Sequence, residues 1–213
     1  MTAPVCRERE ANPFVTRRVR PGALPYFFPA GEDAARLIER LRTAGWWGQI
    51  VGPHGTGKST LLAALLPHLR EAGCDPLLVV RHQGEGALPE EAREVPRRPG
   101  DTGHRRLLVI DGYEQLSWWA GWRVRHLCRA GGHGLLVSSH ADAGLPVLYR
   151  TSVSRESARR VVAHLTAGAA PTVTEDEVTA RLAARHGNLR EALFDLYDLH
   201  ERRRATAGLP TPR

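Results

Sequence analysis

A chain that uses arginine almost everywhere places its only lysine, Lys58, within Gly52-Pro53-His54-Gly55-Thr56-Gly57-Lys58-Ser59. This is a full G-x-x-x-x-G-K-[ST] pattern, and it constrains the fold as much as the chemistry. The glycines permit a tight loop whose backbone N–H groups converge on phosphate oxygens, and the start of a following helix adds its dipole. A compact ammonium on a flexible stem reaches between β- and γ-phosphates, where a planar guanidinium does not fit. Ser59 offers a hydroxyl for Mg²⁺. The residues expected to hold a nucleotide are therefore Gly52, Pro53, His54, Gly55, Thr56, Gly57, Lys58, Ser59 and Thr60. Such a loop needs a strand running in and a helix running out. Gln49-Ile50-Val51 reads as the strand, and Ser59 to Arg70 has helical periodicity.

The same alternation continues downstream. Pro76 to Arg81 reads as a second strand, and the polar stretch from Gly84 to Arg106 holds at most one short helix, near Pro89 to Arg93. Leu107-Leu108-Val109-Ile110-Asp111 is an apolar run ending in a carboxylate, which suits a buried parallel strand with Asp111 at its carboxyl edge. There Asp111 can hold Mg²⁺ through water. A helix is expected from Glu114 to Ala130, then a buried strand Gly134 to Ser139 and a short last strand, Leu145 to Tyr149. Before the first strand, Gly31-Glu32-Asp33 opens a helix running to Thr43. Strands alternating with helices imply an α/β three-layer sandwich around a mostly parallel sheet.

From Ser154 the pattern becomes purely helical: one helix to Thr166, a second opened by the capping box Thr174-Glu175-Asp176-Glu177, and a third from Asn188 to Arg204. The expected organisation is an extended arm over residues 1–25, a core over 26–151, a small all-helical lid over 152–204 and a tail over 205–213.

Composition excludes several classes. No apolar run approaches the roughly 20 residues needed to cross a bilayer, and the N-terminal MTAPVCRERE is charged where a signal peptide needs an apolar stretch. A cytoplasmic protein without a membrane partner is the expectation. Cys6, Cys74 and Cys128 are odd in number and widely spaced, which fits idle buried thiols better than disulfides or a zinc site. The net charge of +7 suits nucleic acid or an acidic partner, but 29 arginines beside one lysine, with abundant Ala, Gly and Pro, give a plainer cause in GC-rich codon usage.

These residues resemble the AAA+ class of P-loop ATPases, including its origin-recognition, transposition-helper and signalling (STAND) relatives, over residues 26–204. Phe28-Pro29-Ala30-Gly31-Glu32-Asp33 looks like the adenine-side box. The loop and Asp111 look like the two Walker motifs. Ser138-Ser139 is placed like the polar sensor that positions the attacking water, and Gly187-Asn188-Leu189-Arg190-Glu191 is similar to the lid's second sensor. The resemblance implies ATP and Mg²⁺ as ligands, Ser59 and Asp111 on the metal, and Lys58, Asp111, Glu114, Ser139 and Arg190 as the residues of phosphoryl transfer. It also implies a nucleotide-dependent switch or helper with slow intrinsic hydrolysis.

The sequence departs from the family at one telling point. The carboxylate usually found directly after the Walker-B aspartate is replaced by Gly112, and the nearest carboxylate is Glu114. A trans-acting arginine has only positional candidates, Arg129 and Arg150. Other readings are a nucleotide-binding scaffold without turnover, a small-molecule kinase gripping phosphate with Arg93, Arg97, Arg98, Arg105 and Arg106, and an ABC-type ATPase, because Leu136-Val137-Ser138-Ser139-His140 resembles a switch-histidine strand. Trp118, Trp119 and Trp122 stand too close together for all to face one core. They either pack or form an interface for self-assembly or a protein partner. Stacking on nucleic-acid bases requires a basic groove beside them.

Overall fold

The computed structural model describes residues 12–87, 90, 104–167 and 173–206. Its strands are β1 (Trp47–Val51), β2 (Cys74–Val80), β3 (Arg105–Asp111), β4 (Gly134–Ser139) and β5 (Val147–Arg150). Its helices are α1 (Thr16–Val19), α2 (Ala34–Thr43), α3 (Lys58–Glu71), α4 (Trp118–Ala130), α5 (Arg155–Thr166), α6 (Glu175–Ala184) and α7 (Leu189–Thr206). Two compact units result: Phe28–His54 with Lys58–Thr151, and Met1–Phe27 with Gly55–Gly57 and Ser152–Arg213.

The first unit is α/β. Its five strands form one parallel sheet in the order β2-β3-β4-β1-β5. β4 is buried along its whole length and β3 over Leu107–Ile110, as expected of inner strands covered on both faces. Leu108, Ile110, Leu135 and Val137 point to the face covered by Ala120, Val124 and Cys128 of α4. Leu107, Val109 and Leu136 point the other way, where α3 contacts β2, β3 and β4 while α2 contacts β1 and β5. The leucines at 61, 62, 65 and 69 are the buried stripe of α3. Pro76 lies in β2, an edge strand, where a missing N–H leaves no inner ladder bond unmade.

Asp33 caps α2 by accepting from the Arg36 N–H at 2.8 Å. The helix expected from Glu114 is interrupted. Tyr113–Gln115 form a 3₁₀ turn, Leu116 is extended, and α4 starts only at Trp118, capped by Ser117 accepting from the Ala120 N–H. Arg105 and Arg106 open β3 at its amino end, at the far end of that strand from Asp111, so they form no phosphate grip with it. Arg93, Arg97, Arg98 and most of the short helix expected near Pro89 to Arg93 lie outside the described residues.

The second unit is helical. Ser154 and Thr174 each form a capping box at the start of α5 and α6. Its core joins Ala158, Val161, Val162, Leu165, Val178, Leu182, Leu193 and Leu196 with Phe14 and Leu24. The stretch before residue 25, expected as an extended arm, is therefore partly built in. Phe14 is buried, Asn12 donates to the Tyr197 carbonyl and to Glu201, and Thr16–Val19 make one helical turn. The last helix runs two residues past the expected Arg204. No described helix is long and apolar enough to cross a membrane.

Candidate functional site

Parallel register decides what meets at the carboxyl edge of the sheet. Val51 pairs with Ser139, and Ile110 with Val137, so the loop after β1 and the ends of β4 and β3 come together, where open α/β sheets place their ligands. The Gly52 N–H donates to the Ser139 carbonyl at 3.1 Å, fixing the loop's first residue to the end of β4.

Lys58 is the first residue of α3 and is only 8% exposed. Its ammonium donates to the carbonyls of Gly52 (2.6 Å) and Pro53 (2.8 Å), so the loop folds around its own lysine. The third contact is the Nδ1 of His140, at 3.1 Å. The other ring nitrogen of His140, Nε2, lies 2.8 Å from Oε1 of Glu114. With Nε2–H donating to the carboxylate, the Nδ1 lone pair accepts from Lys58, although Nδ1 also lies 3.2 Å from the Gly52 carbonyl oxygen, to which it donates when protonated. Desolvation lowers the His140 pKa, and the nearby Lys58 charge lowers it further, which keeps this neutral form at neutral pH. His54 from the loop lies against the same ring, with centroids 3.4 Å apart.

Asp111, the expected metal carboxylate, ends β3 and accepts from the Ser138 hydroxyl at 2.5 Å. The same hydroxyl accepts from the Gly112 N–H at 3.0 Å. Of the two serines ending β4 it is therefore Ser138 that meets Asp111, while the Ser139 hydroxyl accepts from the Ala141 N–H at 3.3 Å. Gly112 has φ 86°, in the left-handed region, and a Cβ there would sit 2.7 Å from the Arg81 carbonyl oxygen. That geometry is why no carboxylate follows Asp111. The turn it begins carries Glu114 back to His140, and Oε2 of Glu114 is buried with no hydrogen-bond partner among the described residues.

Two residues of this arrangement escape sequence reasoning. His140 stands in the sequence only as the histidine of the alternative ABC-type reading, with no sign that it joins Lys58 to Glu114. Gln49, fully buried within β1, donates to Asp142 (2.6 Å) and the Leu145 carbonyl (2.5 Å) and accepts from the Ala143 N–H (2.8 Å). It thereby pins the segment following His140. Its signal is a polar residue in the middle of a buried strand.

In the helical unit, the Leu189 N–H donates to the Gly55 carbonyl at 3.2 Å, and Gly55 has φ 71° with Asn188 Oδ1 where a Cβ would stand. Arg190 is exposed on the first turn of α7. Cys74 and Cys128 are buried free thiols, and burial pushes Cys128 up to about 12. Cys6 lies outside the described residues, among which no cluster of His, Cys, Asp and Glu is arranged to hold a metal by itself. No known protein-family model matches the chain.

Proposed function

We propose that the protein binds ATP through residues 52–60 and acts as an AAA+-like ATPase, a nucleotide-dependent switch or helper with slow intrinsic hydrolysis. The observation that carries this reading is Lys58. Nearly all of its surface is buried, its charge is held by the loop's own Gly52 and Pro53 carbonyls, and it lies beside the ends of β1 and β4. A buried ammonium on a glycine-rich loop is a charge kept for an anion. Phosphates entering the loop replace carbonyl contacts with charge-assisted ones.

Mg²⁺, when bound, neutralises charge on the β- and γ-phosphate oxygens. The donor set suits a hard cation: Ser59 would offer it a hydroxyl and Asp111, oriented by Ser138, a carboxylate. Glu114 takes the place of the missing carboxylate after Asp111. Its Oε1 is held by His140, and its partnerless Oε2 is the acceptor to which an attacking water donates. An isolated protomer lacks a supplied arginine, which is worth roughly 10³–10⁵ in rate in comparable enzymes, so turnover is slow until a partner or a second copy contributes one. A scaffold that binds without turnover is the second reading, and Gly112 is the observation that favours it. Nothing in either reading calls for a membrane, and a cytoplasmic setting is consistent with both.

The test is Lys58→Ala in titration calorimetry with ATP. Loss of a charge-assisted contact of about 1.5–3 kcal/mol weakens binding roughly 10- to 150-fold. An unchanged Kd in a folded variant removes the reading.

A further inference from the structure

Helix α4 turns its bulk outward. It packs Ala120, Gly121, Val124 and Cys128 onto the sheet and leaves Trp118, Trp119 and Trp122 exposed at 71%, 67% and 51%. Packing into the core is thus excluded for all three. The rings form an ordered ladder: Trp118 and Trp119 meet edge to face at 4.6 Å, Trp119 and Trp122 at 6.4 Å, and Trp122 stacks on His126 at 5.4 Å.

The helix that carries the ladder has charge of one sign. Residues 115–141 contain no aspartate or glutamate, but they do contain Arg123, Arg125 and Arg129. Arg123 is exposed on α4, next to Trp122 in the chain and one turn on from Trp119, while the Arg129 guanidinium lies over Trp47, 5.0 Å from the ring centroid. A cleft of about 300 Å³ opens next to the ladder, lined by Tyr113, Trp118, Trp122, Arg125 and Asp142 among others. Aromatic walls with one guanidinium, Arg125, and two carboxylates, Glu114 and Asp142, suit an unstacked base, which stacks on rings and hydrogen-bonds at its edge.

We infer that this face binds single-stranded nucleic acid, its bases stacking on Trp118, Trp119 and Trp122 and a phosphate meeting Arg123. Ring platforms flanked by cations are the chemistry of sequence-tolerant single-strand binding. A protein hot spot surrounds its anchors with near-neutral contacts that exclude water. Here Arg123 is an exposed neighbour of the rings and no carboxylate stands on α4, which favours an anionic partner. A duplex keeps its bases stacked internally and offers the rings little. The inference does not require ATP binding, because the ring ladder and Arg123 lie outside the lysine loop, although Glu114 and Ser139 line the adjoining cleft.

The experiment uses the full chain, a fluorescein-labelled oligo-dT of about twenty nucleotides, a duplex of equal length, and sedimentation without nucleic acid. Oligo-dT should quench the intrinsic tryptophan fluorescence and bind more tightly than the duplex at low salt. Trp122→Ala should weaken binding at least about fivefold, and the triple Trp118→Ala, Trp119→Ala, Trp122→Ala variant roughly 100-fold or more. Arg123→Ala should lower the slope of log affinity against log salt by about 0.7. The inference is overturned if oligo-dT leaves the fluorescence unchanged, if the triple variant binds as the parent does, or if the duplex binds better. It is also overturned if the tryptophans instead mediate self-association that the triple variant abolishes, with no oligo-dT binding.

Discussion

Gly112→Glu installs, directly after Asp111, the carboxylate that AAA+ ATPases, which the sequence resembles, carry after their Walker-B aspartate, and the structure opposes it. Gly112 has φ 86° and ψ 42°, a left-handed conformation that costs an L residue about 1–2 kcal/mol. The new Cβ would meet the Arg81 carbonyl oxygen at 2.7 Å. That oxygen has little room to retreat, because the Arg81 N–H donates to the Asp111 carbonyl at 2.8 Å and ties the end of β2 to β3. Relief by backbone shift adds about 1–3 kcal/mol, as overpacking generally does. The sum is roughly 2–5 kcal/mol, a large fraction of a domain's net stability of about 5–15 kcal/mol. With a urea slope near 2 kcal/mol/M, the midpoint should fall by roughly 1–2.5 M. Turnover should not rise, since the new side chain starts out directed at Arg81. Gly112→Ala separates the backbone cost from the charge and should show most of the loss. A midpoint within about 0.3 M of the parent, or faster ATP hydrolysis by a folded Gly112→Glu protein, would refute the account.

Glu114→Gln keeps the side chain's shape but loses its basicity; steady-state hydrolysis should fall by roughly a hundredfold while ATP affinity, read by calorimetry, is retained. His140→Ala should slow hydrolysis similarly, and in the parent protein the rate should drop as pH falls below the ordinary histidine value of 6.5, because protonation sets a second cation beside Lys58. Arg190→Ala should weaken ATP binding more than ADP binding, by about tenfold if it reaches the γ-phosphate, and equal losses would mark it as a surface residue. In the helical unit, the Arg203 guanidinium and the Thr174 N–H hold Glu177 down to about 2 from 4.5. A carboxylate with a depressed pKa stabilises the fold above its unfolded value, so this contribution is complete above pH 4.5 and lost on acidification toward pH 2. Glu177→Gln should cost about 1 kcal/mol at neutral pH, with the gap in melting temperature closing in acid.

Strong local signals made most of the α/β unit legible in the sequence. Inner strands announce themselves as apolar runs, and the cap residues Asp33, Ser154 and Thr174 all sit where their hydrogen bonds require. What stayed hidden depends on register or on distant partners. Ser138 and Ser139 are indistinguishable in sequence, but adjacent strand residues face opposite sides, and pairing with β3 selects Ser138 for Asp111. The break before α4 follows from Ser117, whose side chain caps the helix and whose N–H goes to the Gly86 carbonyl, a contact across thirty-one positions of sequence. Phe14 and Asn12 sit among prolines and arginines in a stretch that reads as an arm, and the acceptors of the Asn12 side-chain amide come from α7, far away in sequence. His140 reads in sequence as a switch histidine of the ABC-type alternative, but its place between Lys58 and Glu114 depends on partners 82 and 26 positions away.

The short path from Glu114 to the tryptophans gives the two proposals a physical connection. Glu114 sits in the 3₁₀ turn, and Ser117, three positions on, caps the helix that carries Trp118, Trp119 and Trp122. Tyr113 strengthens the link, because its hydroxyl donates to the Gly121 carbonyl inside α4 and accepts from Arg125 at 3.0 Å. Arg125 in turn donates to the Ala143 carbonyl, in the segment that Gln49 pins behind His140. If phosphate draws Lys58 away from His140, the ring is free to shift, and with it the carboxylate at the root of α4. A rigid turn with both ends anchored moves as a unit or not at all, so the aromatic face and the lysine loop should sense each other. Reciprocity fixes the size of the effect: whatever factor ATP applies to oligo-dT affinity, oligo-dT must apply to ATP affinity. Glu114→Ala, which cuts the path at its midpoint, should reduce that factor toward one while each ligand still binds alone. A factor unchanged by Glu114→Ala would mean that the coupling runs elsewhere, and a factor of one in the parent would mean that the two sites act independently.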